Sequence, residues 1–331
     1  MSIILTGADF KHFSGSYTIV TTTSRFDSRY SHWCMAPSVS SPPATTFAGG
    51  AAPTDWWLHC VYNLDDGYYG NYNIIVFKSG GTDAYALRTA SASNNDFQLC
   101  YYDGGWIPIP ETTKTLNDDT NYVLDIHFAP DGTTGVAEFY VNGVLVGAVT
   151  GNYIAATGAS VDSVTFSSHY LNDSRRCHIS ELVVTSGGEK TIGWHVSTRL
   201  PNAAGTTGDW TGAYTDIDDT AADATADYIE SDTDTNLSLF DFEDLDTSLS
   251  ASLVKTVFLY ADIEKATGSA VTNIDFVARP ALTNYDGSNT GALTDDTETT
   301  EVSEFSINPE TSIAWTLSAF NDSEFGYRAN T

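Results

Sequence analysis

Residues 121–149 read NYVLDIHFAPDGTTGVAEFYVNGVLVGAV. Apolar and polar side chains alternate through 121–128 and 136–141, the period of a strand with one buried face. Ala129-Pro130-Asp131-Gly132 supplies one turn. Asn142-Gly143 supplies a second, and this pair suits the positive backbone angles of a two-residue hairpin. The stretch is therefore predicted to fold as a three-stranded antiparallel meander. Parity sets its register. His127 opposite Glu138 and Asp125 opposite Tyr140 collect the polar side chains on one face, while Leu124–Val141 and Ile126–Phe139 make the other face apolar. A slip of one residue would mix the two faces. Phe139, Val141, Val144 and Val146 are expected to carry the apolar face into the core.

The same texture extends outward in both directions. Strands are predicted at 73–78, 144–149, 162–167 and 178–184, and later at 237–242, 253–260, 274–278 and 301–307. The run 283–300 (TNYDGSNTGALTDDTETT) reads as an exposed loop. No segment sustains a helical period, and no fixed-period repeat is present. The fold class is all-β, with two β-sandwich domains at 1–199 and 200–331. Each is long enough to bury a core.

Charge divides the chain unevenly. The net charge is -29, of which -8 falls in residues 1–199 and -21 in residues 200–331. A surface this acidic repels nucleic acid, because phosphate binding needs Lys and Arg to displace counterions. It argues equally against anionic membranes. Solubility at high local concentration accounts for it, and divalent-cation binding in the acidic loops is the sharper alternative. No apolar run of about 18 residues exists to cross a membrane as a helix. The N-terminal MSIILTGADFKHF lacks the basic start and apolar length of a secretory signal, so synthesis in a cytoplasm is expected. Cys34, Cys60, Cys100 and Cys177 all precede residue 200, without C-x-x-C spacing. Buried free thiols are the expectation in a reducing compartment. Disulfides formed later are the alternative, with three connectivities open.

Two resemblances are carried by particular residues. Glu138-Phe139-Tyr140-Val141-Asn142-Gly143-Val144-Leu145-Val146 resembles the hairpin of concanavalin A-like, laminin-G-like jelly rolls, in which a strand like 179–184 (ISELVV) closes the sandwich. It covers roughly residues 10–186 and implies a jelly roll for the first domain. It does not name a ligand, since such sandwiches host many functions. The stretch 199–220 (RLPNAAGTTGDWTGAYTDIDDT) is similar to a segment of virion structural proteins from tailed bacteriophages. Residues 314–328 resemble the close of the same proteins, where one helical turn precedes a last strand. This likeness implies a location on the particle exterior, as a capsid decoration or fibre protein, with other virion proteins as partners and homo-oligomeric assembly.

Retaining glycosidases place two carboxylates about 5–5.5 Å apart. The E-x-D-x-x-E strand motif of the laminarinase-like jelly rolls is missing from 1–199, and His127 with Glu138 reads more simply as a cross-strand polar pair. Neither a G-x-S-x-G elbow nor an H-E-x-x-H helix occurs. The chain is expected to have no enzymatic activity. Trp56, Trp57, Tyr68, Tyr69, Tyr72, Tyr101, Tyr102 and Trp106 lie in or beside Gly/Asp-rich segments. Such rings stack on pyranose faces, fill sandwich cores or make subunit interfaces, and all three readings stay open. Trp56 and Trp57 must point opposite ways on a strand.

Asp232-x-Asp234-x-Asn236 with Glu243 mimics EF-hand spacing, but Leu237 replaces the required glycine. Asp216, Asp218, Asp219 and Asp223 form a looser candidate for divalent-cation (Ca2+) binding, against the alternative of a solvated acidic loop. No other cofactor is expected. The seven histidines show no metal-ligand spacing. The leading expectation is a structural virion component acting through protein–protein assembly. The alternative is a carbohydrate-binding adhesin that recognises host surface glycans through the first domain. Neither needs nucleic acid or membrane insertion.

Overall fold

The meander closes in the register that parity dictates. In the computed structural model Leu124 pairs with Val141, Asp125 with Tyr140, Ile126 with Phe139 and His127 with Glu138. The residues described are 2–6, 17–20, 34–37, 42–64, 71–90, 95–167, 177–218, 228–246 and 253–331. The side chains of the strands at 17–20 and 34–37, Cys34 among them, fall outside that description. The chain divides into two units, Met1–Thr198 and Arg199–Thr331. Both are built almost wholly of antiparallel strands, which makes the fold all-β.

The first unit runs β1 (Ser2–Thr6), β2 (Tyr17–Val20), β3 (Cys34–Pro37), β4 (Ala44–Thr46), β5 (Trp56–Leu64), β6 (Asn73–Ser79), β7 (Thr82–Thr89) and β8 (Asp96–Tyr102). It continues through β9 (Trp106–Pro108), β10 (Lys114–Thr115), β11 (Thr120–Ala129), β12 (Gly135–Val141), β13 (Val144–Gly151), β14 (Ser163–Phe166) and β15 (Cys177–Ser186). One sheet has the order β13-β12-β11-β5-β15-β3-β2, with β1 pairing β15. The other has the order β10-β8-β7-β6-β14-β4, with β9 pairing β8. Their inner faces make a β-sandwich core in which Trp56 lies 5.2 Å from Tyr85 and 5.6 Å from both Phe77 and Phe128, measured between ring centroids.

Strand β5 is not among the strands expected from the sequence, and two expectations need correction. Strand β5 (WWLHCVYNL) is buried along its whole length. Trp57 and Val61 on its outer side blur the alternation that would have marked it. Val144 is 68% exposed, not core. It pairs with Val141 immediately after the Asn142-Gly143 turn, where both residues of the turn take positive φ, so it sits at the hairpin tip. The polar face of the meander is not solvated. Asp125 is fully buried and His127 nearly so, because residues 187–198 lie against that face. Cys60, Cys100 and Cys177 are buried free thiols.

The turn before β12 is held by Asp131, whose Oδ1 accepts from the backbone amides and hydroxyls of Thr133 and Thr134. The Thr134 and Thr133 amides, in that order, hold its carboxyl down at about 2. A folded-state value below the ordinary carboxylate range stabilises above about pH 4 and is lost as pH falls toward 2. Asp131→Ala is therefore expected to melt below the wild type at pH 7, with the gap closing between pH 4 and 2. A gap independent of pH would contradict this assignment.

The second unit contains β16 (Pro201–Gly208), β17 (Leu237–Phe242), β18 (Leu253–Val254), β19 (Val257–Glu264), β20 (Asn273–Arg279) and β21 (Tyr285–Asn289). It ends with β22 (Glu298–Phe305), β23 (Trp315–Thr316), helix α1 (Leu317–Asn321) and β24 (Glu324–Asn330). A five-stranded sheet in the order β16-β17-β24-β20-β21 accompanies two ribbons, β18-β23 and β19-β22. The predicted strand at 253–260 is thus two strands, and the predicted loop at 283–300 contains β21 and the start of β22. The core gathers Val257, Leu259, Phe276, Phe305, Trp315 and Phe325. Trp315 Nε1 donates to the Phe305 carbonyl at 2.8 Å, which satisfies the one polar atom of that buried ring. The Thr316 hydroxyl accepts from the Ala319 amide and caps α1. Among the described residues no helix is long and apolar enough to cross a membrane.

Candidate functional site

Alternation on a strand sends every second side chain away from the core. On β6, β7, β8 and β9 these side chains line up in rows across the outer face of the second sheet. Asn73 faces Arg88 and Arg88 faces Gln98, giving a polar row over three strands. Val76, Ala86, Cys100 and Pro108 form the next row. Beyond them Tyr102 and Trp106 sit directly opposite each other. Ala86 and Cys100 are fully buried although they face outward, because longer neighbours close over them.

Arg88 and Trp106 provide that cover. The guanidinium of Arg88 lies 5.1 Å from the centroid of the Trp106 ring, within reach of a cation–π contact. Tyr102 packs edge-on against Trp106 at 5.3 Å and 75°. Arg88 Nε donates to Asn73 Oδ1 at 2.6 Å and Nη2 donates to the Asn71 carbonyl at 3.1 Å. Arginine has five N–H donors in a rigid fork, so both bonds leave part of the fork available while fixing its direction. Burial is the main cause lowering the Arg88 pKa, opposed by Cys100 and Asp83. Burial also pushes the Cys100 thiol up to about 11, against the pull of Arg88. The thiol is therefore protonated near neutral pH and is a poor nucleophile. Gln98, Arg88, Tyr102 and Trp106 are all partly exposed.

The face combines a flat aromatic surface, an oriented cation and neutral amide groups. It presents groups that can hydrogen-bond hydroxyls, stack on an apolar ring face and pair with an anion.

Of the aromatic candidates, Tyr102 and Trp106 come together here. Trp56 is in the sandwich core, and Trp57, also fully buried, stacks on His127 at 4.3 Å on the outer face of the other sheet. Neither ring is open to a sugar or a partner. Tyr72 and Tyr101 pack against the core. Tyr68 and Tyr69 lie outside the described residues. Sequence reasoning missed Arg88, the centre of the face. The signal was its parity on β7, with Tyr85 and Leu87 facing inward.

The acidic candidates are placed as follows. Asp216 caps its own turn, its Oδ2 accepting from the Ala213 amide at 2.8 Å. Asp218 is half-buried, and Asp219 and Asp223 lie outside the described residues. Among the described residues no three His, Cys, Asp or Glu side chains are grouped to hold a metal ion.

The sequence matches no protein-family model and no curated protein. Solved structures do resemble part of it. An endo-beta-1,4-glucuronan lyase from the fungus Trichoderma reesei shares 11% identity over 56% of this chain and 94% of its own, with a TM-score of 0.40. Alginate lyase Aly36B shares 12% over 60% and 95%, with a TM-score of 0.35. Domain 4 of AbnA, an extracellular arabinanase from Geobacillus stearothermophilus, shares 12% over 55% and 81%, with a TM-score of 0.37. Two of these three proteins are lyases by name, which stands against the expectation of no enzymatic activity, and that expectation is withdrawn. At such identities and TM-scores the likeness carries neither a reaction nor a ligand over to this chain.

Proposed function

We propose that the first unit binds an acidic polysaccharide on the outer face of its second sheet. The observation that carries this reading is the Arg88–Trp106–Tyr102 arrangement. An oriented guanidinium with unused donors takes a carboxylate in a two-pronged fashion. Next to it, an aromatic ring offers a surface for the apolar face of a pyranose. Residues 1–199 carry only -8 of the chain's net charge of -29, so an acidic sugar meets less repulsion here than over residues 200–331, and partial burial makes the Arg88 cation costly to leave unpaired. Charge-assisted contact with an anionic sugar gives that placement a purpose. Gln98, directly across from Arg88, extends the hydrogen-bonding row toward ring hydroxyls.

Isothermal titration with oligomers of a uronic acid and with their neutral counterparts tests this. The wild type should prefer the acidic oligomer by at least about tenfold, equivalent to roughly 1.4 kcal/mol. Arg88→Gln should remove the preference while leaving weak binding to both. Trp106→Ala should weaken both. Equal affinity of the wild type for both oligomers would reject the carboxylate contact. No heat with either would reject the site. The same samples, watched for the ultraviolet absorbance of an unsaturated sugar, report any cleavage.

The resemblance of 199–220 and 314–328 to virion proteins supports a setting on a particle exterior, as a decoration or fibre protein or as an adhesin. Immunogold labelling of purified particles tests that setting separately: label at a tail tip fits an adhesin, and label spread over the head fits a decoration protein.

A further inference from the structure

A strand at the end of a sheet carries a row of unpaired N–H and C=O groups, which is a template for another strand. Short length, proline, bulges and charge are the usual devices against such pairing. Most of the sheet ends in this protein use them. β4 has three residues and β10 two, one of them Lys114. β16 begins with Pro201 and departs from its ladder at two irregularities. β21 carries Asp286 and has a shift in register. The β19–β22 ribbon is lined by Asp262, Glu264, Glu298, Glu301 and Glu304.

β13 (VLVGAVTG) is built differently. It is the last strand of the first sheet, and among the described residues it pairs only with β12. It is eight residues long. No Asp, Glu, Lys or Arg occurs from Phe139 to Val161. Its single bulge is at Val146, since Tyr140 pairs with Leu145 and Phe139 with Gly147. Past the bulge Gly147–Gly151 run in unbroken register with Phe139–Gly135. A Cβ on Gly147 would collide with the Glu111 carbonyl, so the chain before β10 already covers the core side of the strand there. Val144 and Leu145 are exposed, as are Ala148 and Thr150.

Charge decides which partner fits this edge. Two copies of a chain of net charge -29 repel each other, so a contact between them has to lie where charge is missing. Across a two-fold axis the same patch meets itself. On β13 that patch consists of Val, Leu, Gly, Ala and Thr, which set no like charges against each other. We propose that β13 pairs with β13 of a second copy, antiparallel about a two-fold axis within Gly147–Gly151, and so joins two first sheets into one. A ladder this short buries less than the roughly 1,200 Å² at which stable complexes begin, so the dimer forms at micromolar rather than nanomolar concentration.

Sedimentation velocity of the full chain between about 1 and about 200 μM tests this. The mass should rise from 35.7 kDa toward twice that value. Added salt should tighten the dimer, because it screens the repulsion between copies and the ladder holds no ion pair to weaken. Ala148 is exposed and lies opposite Glu138, so Ala148→Lys leaves the monomer folded while setting like charges beside the axis. It should weaken association at least about tenfold. Thr150→Lys, at another exposed position, should do the same. In the wild type the β13 amides should exchange more slowly as concentration rises, while those of β7 and β8 stay as they are. Three results overturn the proposal: the mass of one chain at the highest concentration, a dimer as tight in both lysine variants as in the wild type, or a dimer in which exchange of β13 is unchanged.

Discussion

Trp56→Ala is expected to lower the stability of the first unit by about 3–5 kcal/mol. The ring is fully buried at the centre of an aromatic group formed by Phe77, Tyr85 and Phe128. Its strand, β5, lies between β11 and β15 in the middle of its sheet. Neither side can relax freely into the space, because β5 is paired with a neighbouring strand on both edges, so a cavity remains and its cost adds to the lost burial. Among the described residues Trp56 Nε1 has no hydrogen-bond partner. Trp56→Phe should therefore lose much less than the alanine variant, since it removes an unsatisfied donor together with part of the ring. Urea unfolding followed by exchange of the β11 amides measures both. An alanine variant within 1 kcal/mol of wild type would show that the aromatic group does not carry the sandwich.

How much of this was legible in the sequence depended on what covers each face. The meander was readable down to its residue pairs because its two faces differ and the Asn142-Gly143 turn fixes the offset. Strand β5 was not readable as one of these half-buried strands, because both of its faces are buried and Trp57 and Val61 sit where a polar residue would have marked the outside. The same cause hid the fate of Asp125. Parity put it on the polar face, yet a segment more than sixty residues later closes over that face through Thr191.

Trp106 and Tyr102 could be named as candidates from their neighbours, but their joining with Arg88 needed the register of β6 through β9. The bulges in β6, between Asn73 and Ile75 and between Phe77 and Lys78, have no mark in the sequence. In the second unit Leu253–Tyr260 looked continuous. It divides because the pieces pair with different partners, β18 with β23 and β19 with β22.

Gly326→Ala should destabilise the second unit by about 3 kcal/mol, the upper end of the range for overpacking. Gly326 pairs with Leu239 on β24, which lies between β17 and β20. A Cβ there would fall 1.9 Å from the Ser238 carbonyl oxygen, 2.8 Å from its carbon and 2.9 Å from the Leu239 Cα. All three are backbone atoms of the adjoining strand, so no side-chain rotation clears the space. Moving β24 aside would strain two ladders and shift the next residue, Phe325, which packs against Phe242, Phe305, Trp315 and Phe320. Gly208, at the end of the edge strand β16, is the control. A Cβ there meets nothing within 4 Å, and Gly208→Ala should stay within about 0.5 kcal/mol of wild type. Exchange of the β17 and β20 amides reads both variants inside the unit they affect. If Gly326→Ala protects those amides as well as Gly208→Ala does, the two strands do not approach as closely as the Leu239–Gly326 pair requires, and the central ladder of this sheet is looser than its hydrogen bonds imply.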